Sequence, residues 1–235
     1  MAPRRPRSAR GSGAQLREEI LDATRELLAR TGNAEAVSIR EVSKLVGVSA
    51  PSIYRHFADK DALIDATVAQ VFENLDAAMG AADDPTRSPI MRLRDQGMAY
   101  VRFALAYPEQ YRLAFLPTTG RSSEVDRVLG SGAVVRFTQT VRDAMDAELI
   151  TPGDPTPVVL ELWATAHGLA MLLISKPALP WGDTDVLIER VLGAACVGHV
   201  MLDILDDVLG GEGPVPDPEQ AARWLAGLRT GDPAG

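Results

Sequence analysis

The stretch SIREVSKLVGVSAPSIYRHF, residues 38–57, decides the fold of the N-terminal part of this chain. Ser38 is followed three residues later by a glutamate, the spacing of a capping box, and this predicts the start of a helix that ends at Gly47. A glycine suits a backbone position with positive φ, which a tight turn between two helices needs. Ser49 is a candidate cap for a second short helix, which tolerates Pro51 in its first turn. The stretch therefore predicts a helix-turn-helix.

The two predicted helices each have an inward and an outward face. The inward residues are apolar: Ile39, Val42, Leu45 and Val46 on the first helix, and Val48, Ile53 and Phe57 on the second. The outward residues of the second helix include no acid: Ala50, Pro51, Ser52, Tyr54, Arg55 and His56. An α-helix fits the major groove of DNA, and the helix N-termini at Ser38 and Ser49 present N–H groups to phosphate. This face therefore indicates contact with duplex DNA, although any helical hairpin with a glycine turn shares the bare pattern.

The charge of the 235-residue chain is divided unevenly around this motif. The whole chain is acidic, with 24 Lys and Arg against 32 Asp and Glu and a net charge of −8. Residues 1–60 carry eleven basic and seven acidic residues, a net +4, so the remaining 13 basic and 25 acidic residues leave 61–235 at −12. Such asymmetry points to a segment that meets nucleic acid or a membrane surface, and a solvated basic tail is the alternative. The acidic total therefore does not exclude DNA as a partner.

Some classes of protein are disfavoured by what the sequence lacks. The single Cys196 excludes an internal disulfide framework and a zinc finger built on cysteines. The longest uncharged apolar run, 162–175, has 14 residues, short of the about 20 that span a bilayer. The N-terminus has arginines and no apolar signal region. There is no phosphate-binding glycine loop and no metal-like spacing of His and Cys. We therefore expect a cytoplasmic protein that is not an enzyme and has no membrane contact, no cofactor and no metal.

Apolar residues recur at helical spacing along most of the chain, which predicts an all-α fold. Residues 1–13 are rich in Arg, Pro, Gly and Ser and are expected to form a disordered basic arm. A first helix is predicted near 14–31, and a long helix over 60–80 follows the helix-turn-helix. Further helices are predicted near 89–106, 108–115, 122–148, 155–175, 184–209 and 217–228, with Gly130 and Gly132 breaking or kinking the 122–148 segment.

The string GVSAPSIYRHFADKDALI, residues 47–64, resembles the signature of tetracycline-repressor-type (TetR/AcrR) transcriptional regulators. The resemblance extends back through the first helix, to residue 14. It implies a three-helix DNA-binding domain, residues 14–60, and a C-terminal helical bundle for effector binding and dimerisation, residues 61–235, connected by the helix at 60–80. It also implies that Arg40, Ala50, Pro51, Ser52 and Arg55 face base edges or their neighbourhood. The residues that it places near phosphates are Ser38, Ser52, Tyr54, His56 and Lys60.

The chemistry of these residues agrees with those roles. Tyr and Ser hydroxyls donate to phosphate and fix the register of the protein on DNA. Arg40 and Arg55 are the candidates for reading guanine, since a bidentate Arg–guanine pair is worth about 1–3 kcal/mol of discrimination. Ala50 is small and reaches at most a thymine methyl group. Tyr54 has an alternative place in the core, but Ile53 already occupies the buried side, which favours the phosphate role.

The segment LELWATAHGLAML, residues 160–172, resembles a Trp-x3-His-Gly motif of one C-terminal domain type in such regulators, matched by Trp163, His167 and Gly168. One polar handle in an apolar helix is the pattern of a small-molecule pocket. The candidate ligand-binding residues are the aromatic and polar residues at helical spacing: Phe103, Tyr107, Tyr111, Phe115, Trp163, His167 and Met171. Core packing of each residue, and a structural role for His167, are the alternatives.

The two long C-terminal helices predict a homodimer interface, near 155–175 and 184–209. Residues 158–174 are apolar nearly all round, and 191–202 contain small residues that allow close helix contact. A central position in a monomeric bundle is the alternative. A helix-turn-helix that reads a palindrome needs a two-fold dimer, which favours the interface.

Taken together, these patterns predict a homodimeric transcriptional regulator that binds double-stranded operator DNA and a small-molecule effector. The favoured interpretation is a repressor that a small, hydrophobic ligand releases from a palindromic operator. The alternatives are an activator, a regulator without a ligand, and a helical-bundle enzyme or lipophile carrier. The arginine-rich arm, with Arg4, Arg5, Arg7 and Arg10, either reaches a minor groove or acts only through its charge.

Overall fold

The computed structural model describes residues 12–32, 34–115, 132–209 and 217–230. Within these ranges the regular structure is helical and no strand occurs, which confirms the all-α prediction. A 3-10 turn, Ala34–Ala36, precedes the second helix. The α-helices are α1 (Ser12–Thr31), α2 (Ile39–Val46), α3 (Ala50–Tyr54), α4 (Lys60–Ala82), α5 (Pro89–Ala106), α6 (Pro108–Ala114), α7 (Ala133–Asp146), α8 (Thr156–Ser175), α9 (Thr184–Leu209) and α10 (Pro218–Thr230).

Most helix bounds lie within a few residues of those that the apolar periodicity predicts. The exception is the segment expected at 122–148, whose described helix begins at Ala133, directly after Gly132. Gly130 and the arginines of the predicted arm lie outside the described residues. Helix α1 begins at Ser12, two residues before the start that the periodicity predicts near residue 14.

Contacts between residues divide the chain into two compact units. The first consists of Met1–Gly80 and Arg102–Arg136, and the second of Ala81–Val101 and Phe137–Gly235. The first unit therefore contains the helix-turn-helix and nearly all of α4. The second contains the N-terminal part of α5, most of α7, and α8 to α10.

The first unit packs α1 against α2 and α6. Apolar residues at helical spacing on α1, such as Ile20 and Leu28, are buried, and the hydroxyl of the buried Thr24 donates to the Ile20 carbonyl at 2.8 Å. The Arg17 guanidinium lies 5.3 Å from the centre of the Phe57 ring, a cation–π contact that joins α1 to the end of the helix-turn-helix. Burial of these faces holds α2 and α3 on a helical platform.

The second unit is organised around the N-terminal part of α5, whose side chains bond to three other helices. Arg92 donates to Asp143 of α7 at 2.7 Å, Arg94 donates to Glu189 of α9 at 3.1 Å, and the Tyr100 hydroxyl lies 3.2 Å from His167 Nδ1 of α8. Gly97 allows α9 to come close, since a Cβ there would lie 3.3 Å from a methyl group of Leu192. α5 thus sets the positions of its neighbours.

Helix α8 packs along α9 in the second unit and is unusually apolar. By length and composition alone it could cross a membrane, and the same test is passed by helices that pack inside soluble proteins. The sequence expectation that no segment reaches this length counted only uncharged residues. The full 20-residue helix qualifies once its single charged residue, Glu161, is allowed.

The Ser38 cap of α2 and the glycine turn form as the sequence predicts. The Glu41 backbone N–H donates to Ser38 Oγ at 3.2 Å, and the Ser38 hydroxyl donates to the Glu41 carboxylate at 2.9 Å. Gly47 has φ of +76°, in the left-handed region, and the N–H groups of Gly47 and Val48 both donate to the Ser43 carbonyl at 3.0 Å. These bonds end α2 and set the angle at which α3 leaves it.

Two expectations about this motif need correction. Leu45 was assigned to the inward face of α2, but its side chain is 45% exposed. Only a narrow stripe of an eight-residue helix packs against its neighbours, and on α2 the buried residue is Val42. Ser49 occupies the N-cap position of α3, yet its side chain makes no cap hydrogen bond. Its hydroxyl instead lies 3.0 Å from the Ser52 hydroxyl.

Replacement of Gly47 by alanine is predicted to destabilise the first unit. The left-handed conformation costs a residue with a Cβ about 1–2 kcal/mol, although a Cβ at this position would meet no other atom within 4 Å. The expected result is a loss of that size in the free energy of unfolding, measured by urea denaturation. The matched control, Gly13→Ala in the first turn of α1, also meets open space and has no positive φ, so it should change stability by less than about 0.5 kcal/mol. Equal effects of both variants would contradict the strain argument.

Candidate functional site

Helix α3 presents the outward face that the sequence predicts. Ile53 and Phe57 are buried, and the Tyr54 side chain between them is 53% exposed. This exposure leaves the Tyr54 hydroxyl available to a partner and removes the alternative of a core tyrosine. The remaining outward residues are exposed or partly exposed: Ala50, Pro51, Ser52, Arg55 and His56.

A short line of side-chain hydrogen bonds crosses this face. The Arg55 guanidinium donates to the Ser52 hydroxyl at 3.1 Å, and the Ser52 hydroxyl lies 3.0 Å from that of Ser49. The three residues are three positions apart in turn, so they share one side of α3. The line holds Arg55 toward the N-terminal end of α3.

Arg40 stands in the first turn of α2 and is exposed. No ion pair or side-chain hydrogen bond engages its guanidinium among the described residues, and the neighbouring Glu41 is occupied by Ser38. The free guanidinium offers five N–H donors in a planar fork, the geometry that matches guanine or a phosphate. Arg40 on α2 and Arg55 at the end of α3 are thus two exposed cations of the helix-turn-helix.

Lys60 has a structural task that the sequence pattern did not show. Its ammonium donates to the carbonyls of Ala34 and Glu35 at 3.2 and 3.4 Å, and it lies 3.7 Å from the Glu35 carboxylate. These bonds tie the first turn of α4 to the 3-10 turn that precedes α2. Lys60 therefore links the position of α4 to that of the helix-turn-helix, and a phosphate contact would use a donor of an ammonium that is already engaged.

A second polar group lies between α5 and α8. Trp163 Nε1 donates to the Tyr100 hydroxyl at 3.1 Å, and this hydroxyl lies 3.2 Å from His167 Nδ1. The Trp163 and His167 rings lie 5.8 Å apart, which confirms that these two residues share one face of α8. Met171 follows one turn later and is partly exposed. Tyr100 completes the group, although it is not among the site residues predicted from the sequence. The signal that could have identified it is its helical spacing from the aromatic Phe103.

His167 is held in its neutral form. Burial lowers the pKa of His167 below its usual value, because a charged imidazolium loses hydration in the apolar bundle. A neutral imidazole accepts a hydrogen bond at one ring nitrogen, and the Tyr100 hydroxyl, which accepts from Trp163, has its own proton to give. The group is therefore uncharged near neutral pH.

The other four candidate ligand residues belong to the first unit. Phe103 and Tyr107 have ring centres 5.2 Å apart, and those of Tyr111 and Phe115 are 4.8 Å apart. Phe115 also meets Phe72 of α4 edge to face at 5.6 Å. Tyr111 is 1% exposed and serves as core, whereas Tyr107 is half exposed. The aromatic stripe thus packs in one unit, and the Trp163–His167 pair packs in the other.

Another buried polar residue was not predicted from the sequence. Gln96 on α5 is fully buried, and its Nε2 donates to Thr140 Oγ1 of α7 at 2.9 Å. A single glutamine in a helix predicts a surface position, so the burial of Gln96 is visible only in the tertiary structure. In the part of the chain that the structure describes, no group of three His, Cys, Asp or Glu residues is placed to hold a metal ion.

Comparisons with known proteins agree on one family. The family described as "Bacterial regulatory proteins, tetR family" matches residues 20–67, and "Tetracyclin repressor-like, C-terminal domain" matches residues 93–195. The nucleoid occlusion factor SlmA of Vibrio atlanticus is 31% identical over 78% of this chain and 79% of its own length. The HTH-type transcriptional repressor KstR of Mycolicibacterium smegmatis is 29% identical over 62% of this chain and 69% of its own length.

A solved structure shows the same fold. A TetR family transcription regulator from Marinobacter aquaeolei superposes with a TM-score of 0.65, over 80% of this chain and 98% of that one, at 20% sequence identity. At this identity the likeness shows that the two chains share a fold.

The lowered pKa of His167 predicts a pH-dependent stability. Because the folded protein keeps His167 neutral, the unfolded chain binds one more proton once the pH falls below about 6.5. The contribution of His167 to stability is therefore fully present above that pH and declines below it. We expect the free energy of unfolding in urea to fall less between about pH 7.5 and about pH 5.5 in His167→Gln than in the unmodified protein. Equal losses in the two proteins would contradict the desolvated state of His167.

Proposed function

Because this chain belongs to the tetR family of bacterial regulatory proteins, we propose that it is a homodimeric repressor that a small hydrophobic ligand releases from a palindromic operator. Membership makes it a transcriptional regulator rather than an enzyme at the level of the family. The observation that carries the proposal is the exposed, acid-free face of α3, with Tyr54 and Arg55, beside Arg40 on α2. A cytoplasmic location follows from a function on chromosomal DNA.

The DNA contacts that we propose divide into two kinds. Arg40 and Arg55 read base edges in the major groove, with Ala50, Pro51 and Ser52 close to the bases. The remaining residues grip phosphates and set the register: Ser38, Ser49, Ser52, Tyr54, His56 and Lys60. The net charge of +4 on residues 1–60 supports this segment as the one that binds DNA, because the net charge of −12 on residues 61–235 repels phosphate.

The proposed dimer uses the outer faces of α8 and α9. These helices expose large apolar side chains that the second unit leaves uncovered, namely Leu160, Leu172, Val186, Val197, Ile204 and Val208. A Cβ added at Gly193 or Gly198 would meet no atom within 4 Å, so both positions leave room for a partner helix. A two-fold dimer places two α3 helices for the two half-sites of a palindrome.

The proposed release is a coupling between ligand and DNA. A ligand that prefers the conformer with wrongly spaced α3 helices weakens DNA binding, and DNA weakens ligand binding by the same factor. Helix α4 is the proposed lever. Its first turn is tied by Lys60 to the turn before α2, and Arg136 bonds to Asp76 near its other end at 3.2 Å. The proposed effector domain is of the Trp-x3-His-Gly type, with the Trp163, His167 and Met171 face toward the ligand.

The direct test of the proposal is selection of binding sites from random duplex DNA by the full chain. We expect a palindromic site with two equal half-sites. A second, independent test is the size of the protein in solution, where sedimentation should give twice the 25.2 kDa of one chain. A monomer that enriches no sequence would overturn the proposal.

Tyr54→Ala is predicted to weaken DNA binding for all sequences alike. A hydrogen bond to a charged phosphate contributes about 1.5–3 kcal/mol, so affinity should fall by about ten- to a hundredfold without a change in base preference. Tyr54→Phe removes only the hydroxyl and should lose most of the same affinity. Fluorescence anisotropy with the selected site and with a scrambled duplex measures both. Unchanged affinity at physiological salt would contradict the phosphate contact.

Arg40→Ala is predicted to relax base preference at one position of each half-site. The loss of a bidentate Arg–guanine pair costs about 1–3 kcal/mol of discrimination there. The matched control is Arg30→Ala on α1, which removes the same charge from a side chain that is 63% exposed and only 3.8 Å from Glu26. Repeated site selection should return a degenerate position for Arg40→Ala and the original site for Arg30→Ala. The original site from both variants would rule out base reading by Arg40.

A further inference from the structure

The fully buried amide of Gln96 is only half satisfied. Its Nε2 donates to Thr140 Oγ1, but its Oε1 has no hydrogen-bond partner among the described residues. Of its neighbours one turn away on α5, Leu93 and Tyr100 are buried, and Arg92 is bonded to Asp83 and Asp143. A carbonyl oxygen that is buried without a donor destabilises the fold, because it has lost its bonds to water. A leucine of similar volume would avoid that cost, so the fold itself gains nothing from this oxygen.

The position of this acceptor relates it to the second polar group. Gln96 and Tyr100 are four residues apart, so they lie on one face of α5, and Tyr100 bonds to Trp163 and His167 of α8. Within the second unit, α5 therefore supplies an unmet acceptor and a phenol, and α8 supplies two aromatic rings. Apolar surroundings with a few convergent polar groups are typical of ligand sites.

The charges in the N-terminal part of α5 are compensated by ion pairs within the second unit. Arg92 is held between Asp83 and Asp143, at 2.7 Å from each. Arg94 bonds to Asp95 at 2.9 Å and to Glu189 at 3.1 Å. An ionised ligand would need an uncompensated partner of opposite charge to offset its lost hydration. The described residues of α5 offer none, so a neutral ligand fits best.

We propose that Gln96 Oε1 is the hydrogen-bond acceptor that selects the effector, which is a neutral, planar hydrophobic compound carrying an O–H or N–H donor. The aromatic rings of Tyr100 and Trp163 contact its flat surface, and Thr140 orients the amide so that Oε1 faces the ligand. This inference rests on the proposed function, in which the C-terminal part of the chain binds an effector, and it names the chemistry that the site accepts.

The test uses three probes of nearly equal size. 2-Naphthol carries an O–H donor, 2-methoxynaphthalene has an oxygen but no donor, and 2-naphthoate is an anion. Titration calorimetry of the full chain without DNA should show that 2-naphthol binds about tenfold more tightly than 2-methoxynaphthalene, the ratio that one neutral hydrogen bond gives. 2-Naphthoate should bind more weakly than either. No saturable binding of 2-naphthol, or equal affinity for the two neutral probes, would overturn the proposal.

The variant Gln96→Leu should bind both neutral probes with equal affinity, and Gln96→Met, which is unbranched like Gln, should do the same. Both variants lose the unpartnered Oε1 and also the Nε2 bond to the buried Thr140, so their unfolding temperature does not separate a structural role from a ligand-binding role. If Gln96 were only structural, the variants would keep the preference for 2-naphthol, and that result would overturn the proposal. A crystal structure of the 2-naphthol complex with a water molecule on Oε1 would overturn it as well.

These titrations separate this inference from the proposed function. A chain that selects a palindromic site but shows no preference for 2-naphthol contradicts only the role of Gln96. A chain that selects no DNA site contradicts the proposed repressor, and the probe preference then stands on the titrations alone.

Discussion

A polar side chain that is buried between helices must find a partner, and this constraint sets how α5 packs with α7, α8 and α9. Arg92 reaches Asp143, Arg94 reaches Glu189, and Tyr100 bonds to both Trp163 and His167. Apolar packing alone tolerates sliding of one helix along another, whereas each of these bonds is satisfied in one register only. The exception on the same helix is the side-chain carbonyl of Gln96, which has no hydrogen-bond donor among the described residues. Because the other polar side chains named here are bonded, this missing donor points to a role other than helix packing.

In the first unit, a turn residue and side-chain hydrogen bonds likewise fix the positions of the helices. A left-handed glycine sets the angle between α2 and α3, and Lys60 ties α4 to the turn before α2. The result is a rigid platform on which α3 stands with its polar side outward. Because Ile53 and Phe57 are buried, Tyr54 and Arg55 have no place except toward solvent. One side of residues 50–57 therefore contributes to stability, and the opposite side carries the residues that we propose for recognition.

The local features of this protein could be predicted from its sequence. The capping box at Ser38, the turn at Gly47 and the bounds of most helices follow from signals within about one helical turn. Leu45 shows the limit of this approach, since a short helix offers more apolar positions than its neighbours can cover. Tyr100 and Gln96 show a second limit. Their partners, His167, Trp163 and Thr140, lie 44 to 67 positions away along the chain.

The sequence by itself determined the all-helical class, the helix-turn-helix and the partition of charge, because periodicity, turn residues and net charge are properties of neighbouring residues. Only the tertiary structure decided which polar groups meet, that Lys60 is bonded to the turn before α2, and that one oxygen of Gln96 is left without a donor. The physical reason is that hydrogen bonding between helices depends on their relative position to within a few tenths of an ångström. That position results from the packing of the whole unit and is carried by no single segment.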